Sequence, residues 1–485
     1  METNQVIGRE QEKKILQQAI DSPDAEFIAV YGRRRVGKTF IIKDYYRELI
    51  NFEMTGIKKV STKEQLENFS EALGKATGFG FEPKTPKTWF KAFSQLEQFL
   101  NSSKPKKRNG KKVVFFDEVP WLNTTRSRFL SALEHFWNTY ASLQTDLILV
   151  VCGSAASWMI QHIVMSKGGL HNRLTRQIRL LPFTLGETET FLKSRKIKLT
   201  RFQIIEVYMA MGGIPHYLKQ ISPGLSPPQI IDEVCFSPSG LLRKEFDKLY
   251  SSLFDNSSQH LKIIKTLAKK KQGMTRKEIL KSVGLISGGT ASKRFDELEE
   301  SGFIQSYVPF GKKTNEALFW LSDEYSLFYI DWISKLGKKE SGKDYWMARI
   351  NSPKRRAWAG YAYERLCMKH TSNIKKNLGI AMVETKESPW RYISSPENEI
   401  PGTQIDLLID RRDQTINLCE IKFSETEFTI DKVYAKILRQ QMETFMKVSK
   451  TRKSIFLTMI TTFGLKKNGY SSELIQQSLN INDLF

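Results

Sequence analysis

The sequence predicts an α/β chain: a parallel sheet built around a P-loop, then a helical segment, a winged helix, and a second α/β sheet with an acidic site of its own. Three observations predict it. The apolar run Ile28-Ala29-Val30-Tyr31 leads straight into Gly32-Arg33-Arg34-Arg35-Val36-Gly37-Lys38-Thr39, a G-x-x-x-x-G-K-T loop followed by a helical segment from near Phe40. A second apolar run, Val113-Val114-Phe115-Phe116, ends in Asp117-Glu118. Far downstream, Ile405–Asp410 and Ile416–Phe423 read as the two strands of a hairpin that carries Asp406, Glu420 and Lys422.

The first run supplies an anion cradle, because loop amides and a helix N-terminus both present N–H groups to phosphate. Gly32, Arg35, Val36, Gly37, Lys38, Thr39 and Phe40 are the expected ATP contacts. Lys38 would reach the β- and γ-phosphates as a catalytic group, and the Thr39 hydroxyl would take a place on Mg²⁺. In an open α/β sheet, ligands bind at the C-terminal ends of the strands. Asp117 there would hold Mg²⁺, directly or through water, and Glu118 would orient or deprotonate the attacking water. A third apolar strand, Leu147–Cys152, ends in Gly153-Ser154-Ala155. Ser154 is either a polar sensor between the acids and the γ-phosphate or a plain turn residue.

The chain has 485 residues, enough for two to four domains. No early apolar stretch resembles a signal peptide, and no uninterrupted apolar run spans a membrane. The four cysteines are widely spaced and only six histidines occur, which disfavours a disulfide frame or a zinc site and suits a reducing cytoplasm. A formal charge of +23 favours a polyanionic partner, nucleic acid first. Basic clusters lie at Lys104–Lys112, Lys269-Lys270-Lys271 and Lys354-Arg355-Arg356. Each is either a solvated surface or a phosphate contact.

Alternating strand and helix signals place a P-loop core at residues 1–182, and a helical segment follows at 183–257. Residues 258–335 read as a winged helix with a linker helix. Thr275 and Glu278 form a capping-box start. Phe295 and Leu298 face inward on the next helix, where Ser292, Lys293 and Arg294 are candidate base readers. Strands at Phe303–Val308 and Ala317–Leu321 make the wing. Glu297, Glu299 and Glu300 oppose phosphate on the same helix, so interdomain packing is the other role for this module.

The last domain spans 345–485. Period-two alternation places Glu420 and Lys422 on one strand face. Asp406 and Glu420 suit Mg²⁺ or Mn²⁺, hard cations that take carboxylate oxygens, and Lys422 would orient or deprotonate water. This Asp…Glu-x-Lys pattern is the PD-(D/E)xK nuclease constellation, although Ile405 stands where the literal proline would be. Glu364 fits the helical acid that precedes such a core. Lys432, Lys436, Arg439 and Gln440 lie on a following helix, as a phosphate-tracking face or a solvent face.

Ile7-Gly8-Arg9-Glu10, the loop Tyr31–Thr39, the strand ending Asp117-Glu118, and Gly212-Gly213-Ile214-Pro215-His216-Tyr217-Leu218 together resemble the archaeal-type ATPases of the AAA+/STAND group. The resemblance implies an AAA+-like sheet with a helical lid at 183–257, with Gly8 and Arg9 near the adenine and Pro215 on the nucleotide. Gly-Gly-x-Pro is also plain helix punctuation. Arg173 is the place to look for an arginine that senses γ-phosphate, or it is a surface residue. The order ATPase, winged helix, nuclease-like module is similar to archaeal ATPases with a restriction-endonuclease-like C-terminal domain, which implies catalytic roles for Asp406, Glu420 and Lys422. The expectation is an ATP-hydrolysing protein whose nucleotide state gates DNA binding or cleavage, with a homo-oligomer compatible and no membrane partner. The alternative is a nucleotide-regulated DNA-binding or scaffold ATPase with an inactive nuclease fold, and a third is a DNA-translocating motor.

Overall fold

In a computed structural model, residues 5–78, 83–102, 110–165, 172–254, 257–270, 272–337, 342, 344–394 and 400–485 are described. Lys104, Lys106, Lys107, Arg108 and Lys271 of the basic clusters lie outside the described residues. The chain divides into two compact units: Met1–Pro182 with Ser251–Asp255 and Arg294–Gly302, and the remainder through Phe485.

The first unit is built on five parallel strands: β1 (Glu26–Tyr31), β2 (Ile50–Thr55), β3 (Lys112–Asp117), β4 (Leu147–Gly153) and β5 (Arg176–Arg179), in the order β2-β3-β4-β1-β5. Every residue of β1, β3 and β4 is buried. Near-continuous apolar runs of this kind are what a parallel sheet covered on both faces requires. One face carries an aromatic core in which Phe93 lies 5.7 Å from Phe116 and 5.0 Å from Phe136, and Trp89 lies 4.8 Å from Phe129. These rings come from helices Trp89–Asn101 and Phe129–Thr139, whose apolar residues recur at helical spacing. The register sets Tyr31 beside Gly153 and Phe116 beside Val151, so the ends of β1, β4 and β3 form one edge.

The basic loop before β3 departs from expectation. Lys111 is buried and its ammonium donates to the Asp24 and Thr145 carbonyls at 2.8 and 2.6 Å. Lys112, the first residue of β3, is buried against Asp146 at 3.5 Å. Both are tied into the start of the sheet, because a buried cation must find carbonyls or a counter-ion, so neither serves as a phosphate contact.

The second unit begins with helices, including Leu185–Ser194, Arg201–Met211 and Pro215–Leu218. Gly212 ends one of them at φ +68°, and a Cβ on Gly213 would fall 2.0 Å from the Phe183 carbonyl oxygen. The Phe183 amide donates to the Gly213 carbonyl at 2.6 Å. Here Gly-Gly-x-Pro closes a helix, admits a crossing backbone, and starts the next helix with Pro215 in its first turn. Helices Ser257–Lys269 and Arg276–Val283 follow, then Gly289–Glu300, which belongs to this unit only as far as Lys293, with a small antiparallel sheet of β6 (Met274–Thr275), β7 (Ile304–Tyr307) and β8 (Leu318–Leu321) in the order β6-β8-β7. Thr275 and Glu278 form the capping box that the sequence indicates.

The last sheet is mixed: β9 (Thr385–Tyr392), β10 (Thr403–Arg411), β11 (Thr415–Lys422), β12 (Ser454–Thr461) and β13 (Gln477–Leu479), ordered β13-β12-β11-β10-β9. β9, β10 and β11 are antiparallel, while β11 and β12 are parallel. A parallel neighbour needs a crossover, and helix Lys432–Ser449 supplies it. A tryptophan cluster knits this unit: Trp346 lies 4.9 Å from Trp332 and 5.3 Å from Trp358, and the Asp232 carboxylate accepts from the Trp346 and Met347 amides at 2.6 and 2.9 Å.

Burial lowers the His370 pKa to about 4, assisted by the nearby Lys369 charge and opposed by a hydrogen bond to the Leu366 carbonyl. The neutral ring accepts from the Leu185 amide at 3.3 Å and meets Tyr208 edge-on at 5.8 Å. A base with a depressed folded pKa stabilises the fold above its unfolded pKa near 6.5, and this contribution fades as pH falls towards 4. The second unit is therefore expected to lose up to about 3 kcal/mol across that window from this group. Melts between pH 7.5 and 4.5 measure it: His370→Gln, which does not titrate, should show a shallower decline than the parent. Equal slopes would remove His370 from the acid response.

Candidate functional site

Two groups of candidate functional side chains emerge, one in each unit. In the first, Gly32 leaves β1 at φ +145°, and any Cβ there would meet the Leu180 carbonyl oxygen at 2.3 Å. Only glycine allows that approach. Arg35 at φ +71° and Gly37 at φ +96° then curl the loop, and the helix begins at Lys38 rather than near Phe40. Beginning two residues early puts the amides of Lys38 and Thr39 in the helix's unbonded first turn, where an anion satisfies them. Val36 is buried, while Phe40 is 44% exposed. The Lys38 ammonium donates to the Gly32 and Arg33 carbonyls at 2.9 and 2.8 Å. Burial lowers its pKa, opposed by Cys152, Glu118 and Asp117.

Across β4, the Thr39 hydroxyl donates to Asp117 Oδ2 at 2.7 Å. A hydroxyl and a carboxylate in contact are the hard oxygen donors that Mg²⁺ prefers. Glu118 sits at φ +50°, and its Oε2 accepts from the Ser154 hydroxyl at 2.8 Å and the Ser154 amide at 3.2 Å. Of the two sequence readings for Ser154, this geometry is that of a side chain engaged with the second acid. Gly8 and Arg9 also turn left-handed, and Arg9 is buried with its guanidinium on the Val36 and Leu181 carbonyls at 3.4 and 2.7 Å. It ties the phosphate loop to the segment after β5. Arg173 is exposed. Pro215 belongs to the second unit, so its role toward nucleotide stays an expectation.

In the second unit, β10 and β11 bring Asp406, Glu420 and Lys422 together. Asp406 Oδ2 accepts from the Ile421 amide at 2.9 Å. The Lys422 ammonium lies 2.6 Å from Glu420 Oε1, which confirms that the two share a strand face. Burial raises the Asp406 pKa well above the ordinary carboxylate range, with Glu420 and then Glu364 adding negative charge beside it. Burial works to lower the Lys422 pKa, and the attraction of Glu420 and Asp406 outweighs it, so the ammonium is held charged. Glu364 lines the same cavity as Asp406. Among the described residues, no group of three or more His, Cys, Asp or Glu is arranged to hold a metal ion.

Two further residues reach Glu420. The Tyr434 hydroxyl donates to Oε1 at 2.8 Å and Gln441 Nε2 to Oε2 at 3.4 Å. They stand seven residues apart, two turns along helix Lys432–Ser449. That spacing is visible in the sequence, but the side of the helix that faces β11 is not. On the same helix Lys432 and Lys436 are exposed, while Arg439 is occupied by Glu473 at 2.8 Å. Two cations of the third basic cluster are also engaged: Arg355 is buried against Glu206, and Lys354 lies 4.2 Å over the Trp332 ring. The candidate reader Ser292 takes a hydrogen bond from Arg276 at 2.6 Å. All four cysteines are buried thiols. Among the described residues, no helix is long and apolar enough to cross a membrane.

Residues 7–221 match the family of ATPase domains found predominantly in Archaea. An uncharacterised protein of Methanocaldococcus jannaschii is 22% identical over 440 residues, covering 90% of this chain and 91% of that one. Among solved structures, a Walker-type ATPase of Pyrococcus abyssi is 14% identical with a TM-score of 0.48, covering 67% of this chain and 96% of that one. The ORC2 protein of Aeropyrum pernix is 12% identical with a TM-score of 0.41, covering 72% and 96%.

Glu118→Gln should bind ATP normally and hydrolyse it about 10²–10⁴-fold more slowly, as expected for loss of a general base. Ser154→Ala keeps the amide donor to Glu118 and removes the hydroxyl, and should lower kcat roughly tenfold with little change in KM. Steady-state ATPase assays check both. A Ser154→Ala enzyme with unaltered kcat would return this serine to the role of a turn residue.

Proposed function

We propose that the chain binds and hydrolyses ATP in its first unit and carries a metal-dependent DNA endonuclease-like site in its second, with nucleotide state gating DNA binding or cleavage. The ATPase half rests on the archaeal-type ATPase domain and on the contacts of Lys38, Thr39, Asp117 and Glu118. In this reading Lys38 neutralises the β- and γ-phosphates, and Glu118, steadied by Ser154, takes the proton of the attacking water. Thr39 and Asp117 would hold Mg²⁺, which offsets phosphate charge when bound.

The single observation that carries the nuclease half is the convergence of Asp406, Glu420 and Lys422 at one end of β10 and β11. The donor set fits a hard cation, since two carboxylates are forced together beside one ammonium. Asp406 and Glu420 would hold it, and when bound it supplies Lewis acidity and a more acidic water. The chain's own residues prepare the rest. Tyr434 and Gln441 fix the Glu420 carboxylate, the Ile421 amide fixes Asp406, and Lys422 is poised to orient water and steady charge on the scissile phosphate.

One observation favours a second reading, a nucleotide-regulated DNA-binding or scaffold ATPase: the acids do not form a group of three around one point, and Lys422 closes on Glu420. Cleavage of supercoiled, linear and single-stranded DNA with Mg²⁺ or Mn²⁺, with and without ATP, separates the two. Wild type should nick or cut, and Lys422→Ala should lower the rate by roughly 10²–10³-fold, as for loss of a charge-stabilising donor. No cleavage by wild type with ATP hydrolysis intact would sink the nuclease and leave the scaffold.

A further inference from the structure

A cavity of about 740 Å³ opens within the second unit, and it is enclosed by three elements. Helix Pro353–Lys369 forms one side with Arg356, Gly360 and Glu364, spaced four apart and so stacked on one face. β9 and β10 form another with Trp390, Arg391 and Asp406. The three-stranded sheet and its hairpin form the third with Gln272, Tyr307 and Lys312.

The hairpin is built in as a wall. Phe310, at its turn, packs 5.5 Å from Phe445 in the core beneath the last sheet. Arg391 donates to the Gln272 side chain, and the Tyr307 hydroxyl donates to the Gln272 carbonyl at 2.9 Å. At the base of the hairpin, Lys369 pairs with Glu324 at 2.6 Å and donates to the Ser322 carbonyl at 3.3 Å. The hairpin is thus tied to the last sheet on one side and to helix Pro353–Lys369 on the other.

We propose that this cavity receives a single-stranded polynucleotide, a nucleotide or two at a time, and delivers its phosphate to Asp406. The proposal rests on the nuclease-like reading of Asp406, Glu420 and Lys422 and adds the substrate class. Size decides first. A cavity of about 740 Å³ falls in the range, roughly 300–1,000 Å³, that encloses one drug-sized ligand. A double helix, whose major groove alone is about 12 Å wide, does not fit. Chemistry agrees. Lys270, Lys312, Arg356 and Arg391 supply exposed cationic heads for phosphate, and Tyr307 a half-buried ring on which a base stacks. Arg365, by contrast, is buried over the Trp320 and Tyr361 rings and serves the wall. Lys270 and Lys312 are paired with Glu278 and Glu316 at 2.8 and 3.1 Å, exposed contacts that an arriving phosphate competes with at little cost.

Gly360 makes the inference testable, because nothing lies within 4 Å of where its Cβ would be. Gly360→Leu puts a side chain into the cavity without meeting backbone, and Gly360→Ala controls for the helix itself. Arg356 is exposed, so Arg356→Ala keeps the fold while removing a lining charge. The experiment is fluorescence anisotropy of the full chain in EDTA with labelled oligo-dT and a labelled blunt duplex, run beside cleavage of both in Mg²⁺. Oligo-dT should bind more tightly than duplex, and Gly360→Leu and Arg356→Ala should each weaken oligo-dT binding at least tenfold, with Gly360→Ala unchanged. If that pattern appears with no cleavage, the single-strand site stands and the nuclease reading falls. If the protein cuts blunt duplex as fast as oligo-dT and Gly360→Leu alters neither, the nuclease reading stands and this proposal is overturned. Absence of oligo-dT binding overturns it outright.

Discussion

A charge taken out of water must be answered by its immediate neighbours, and both sites of this chain are shaped by that constraint. Lys38 is buried, so its ammonium is held by two carbonyls of its own loop. Glu118 is answered by two donors from Ser154, and Glu420 by Lys422, Tyr434 and Gln441. For Glu118 and Glu420 some of these partners come from a different element: Ser154 from the end of β4, Tyr434 and Gln441 from the crossover helix. The sheet order and the crossover helix are therefore conditions for ionised groups to exist where they do. A slip of one residue in β11 would turn Glu420 and Lys422 to the other face and leave Asp406 facing apolar side chains.

The two sites use the constraint differently. In the first unit the cation is paired with dipoles, not with a carboxylate, so in the proposed ATP site a triphosphate would displace neutral carbonyls instead of breaking an ion pair. In the second, Asp406 and Glu420 stand beside one ammonium, and the Asp406 pKa is raised by burial first and by the neighbouring carboxylate charges second. Like charges held together are a reservoir that a cation or a proton relieves. The first arrangement suits an anion; at the second, a positive charge is favoured between the carboxylates themselves.

The parts of the structure that were legible in the sequence are those where backbone demands and residue type coincide. Gly32 is required by a 2.3 Å approach, the Thr39 hydroxyl by its acid partner, and the Thr275–Glu278 pair by an open helix end. Glu420 and Lys422 were readable because a strand has period two. What was not legible depends on which neighbour a long side chain finds. Lys111, Lys112 and Arg355 look like surface cations in the sequence, yet each is buried on a carbonyl or a carboxylate brought from a distant segment. Tyr434 and Gln441 escaped for the complementary reason: their helix was visible, and its facing sheet was not.

That asymmetry bears on the positive charge of the chain. A net +23 points to a polyanion, but the cations in several of the basic clusters are already engaged within the fold. Binding strength for a nucleic acid scales with the phosphates that are neutralised, not with the lysines and arginines that are counted. The cations that count are those facing space a phosphate can occupy; in the proposal made for the second unit these are the exposed ones that line the cavity beside Asp406. Charge there is nearly balanced by lining acids, which weakens non-specific adhesion and leaves recognition to shape and stacking. A substrate that brings its own flexibility, as a single strand does, loses least by entering such a space.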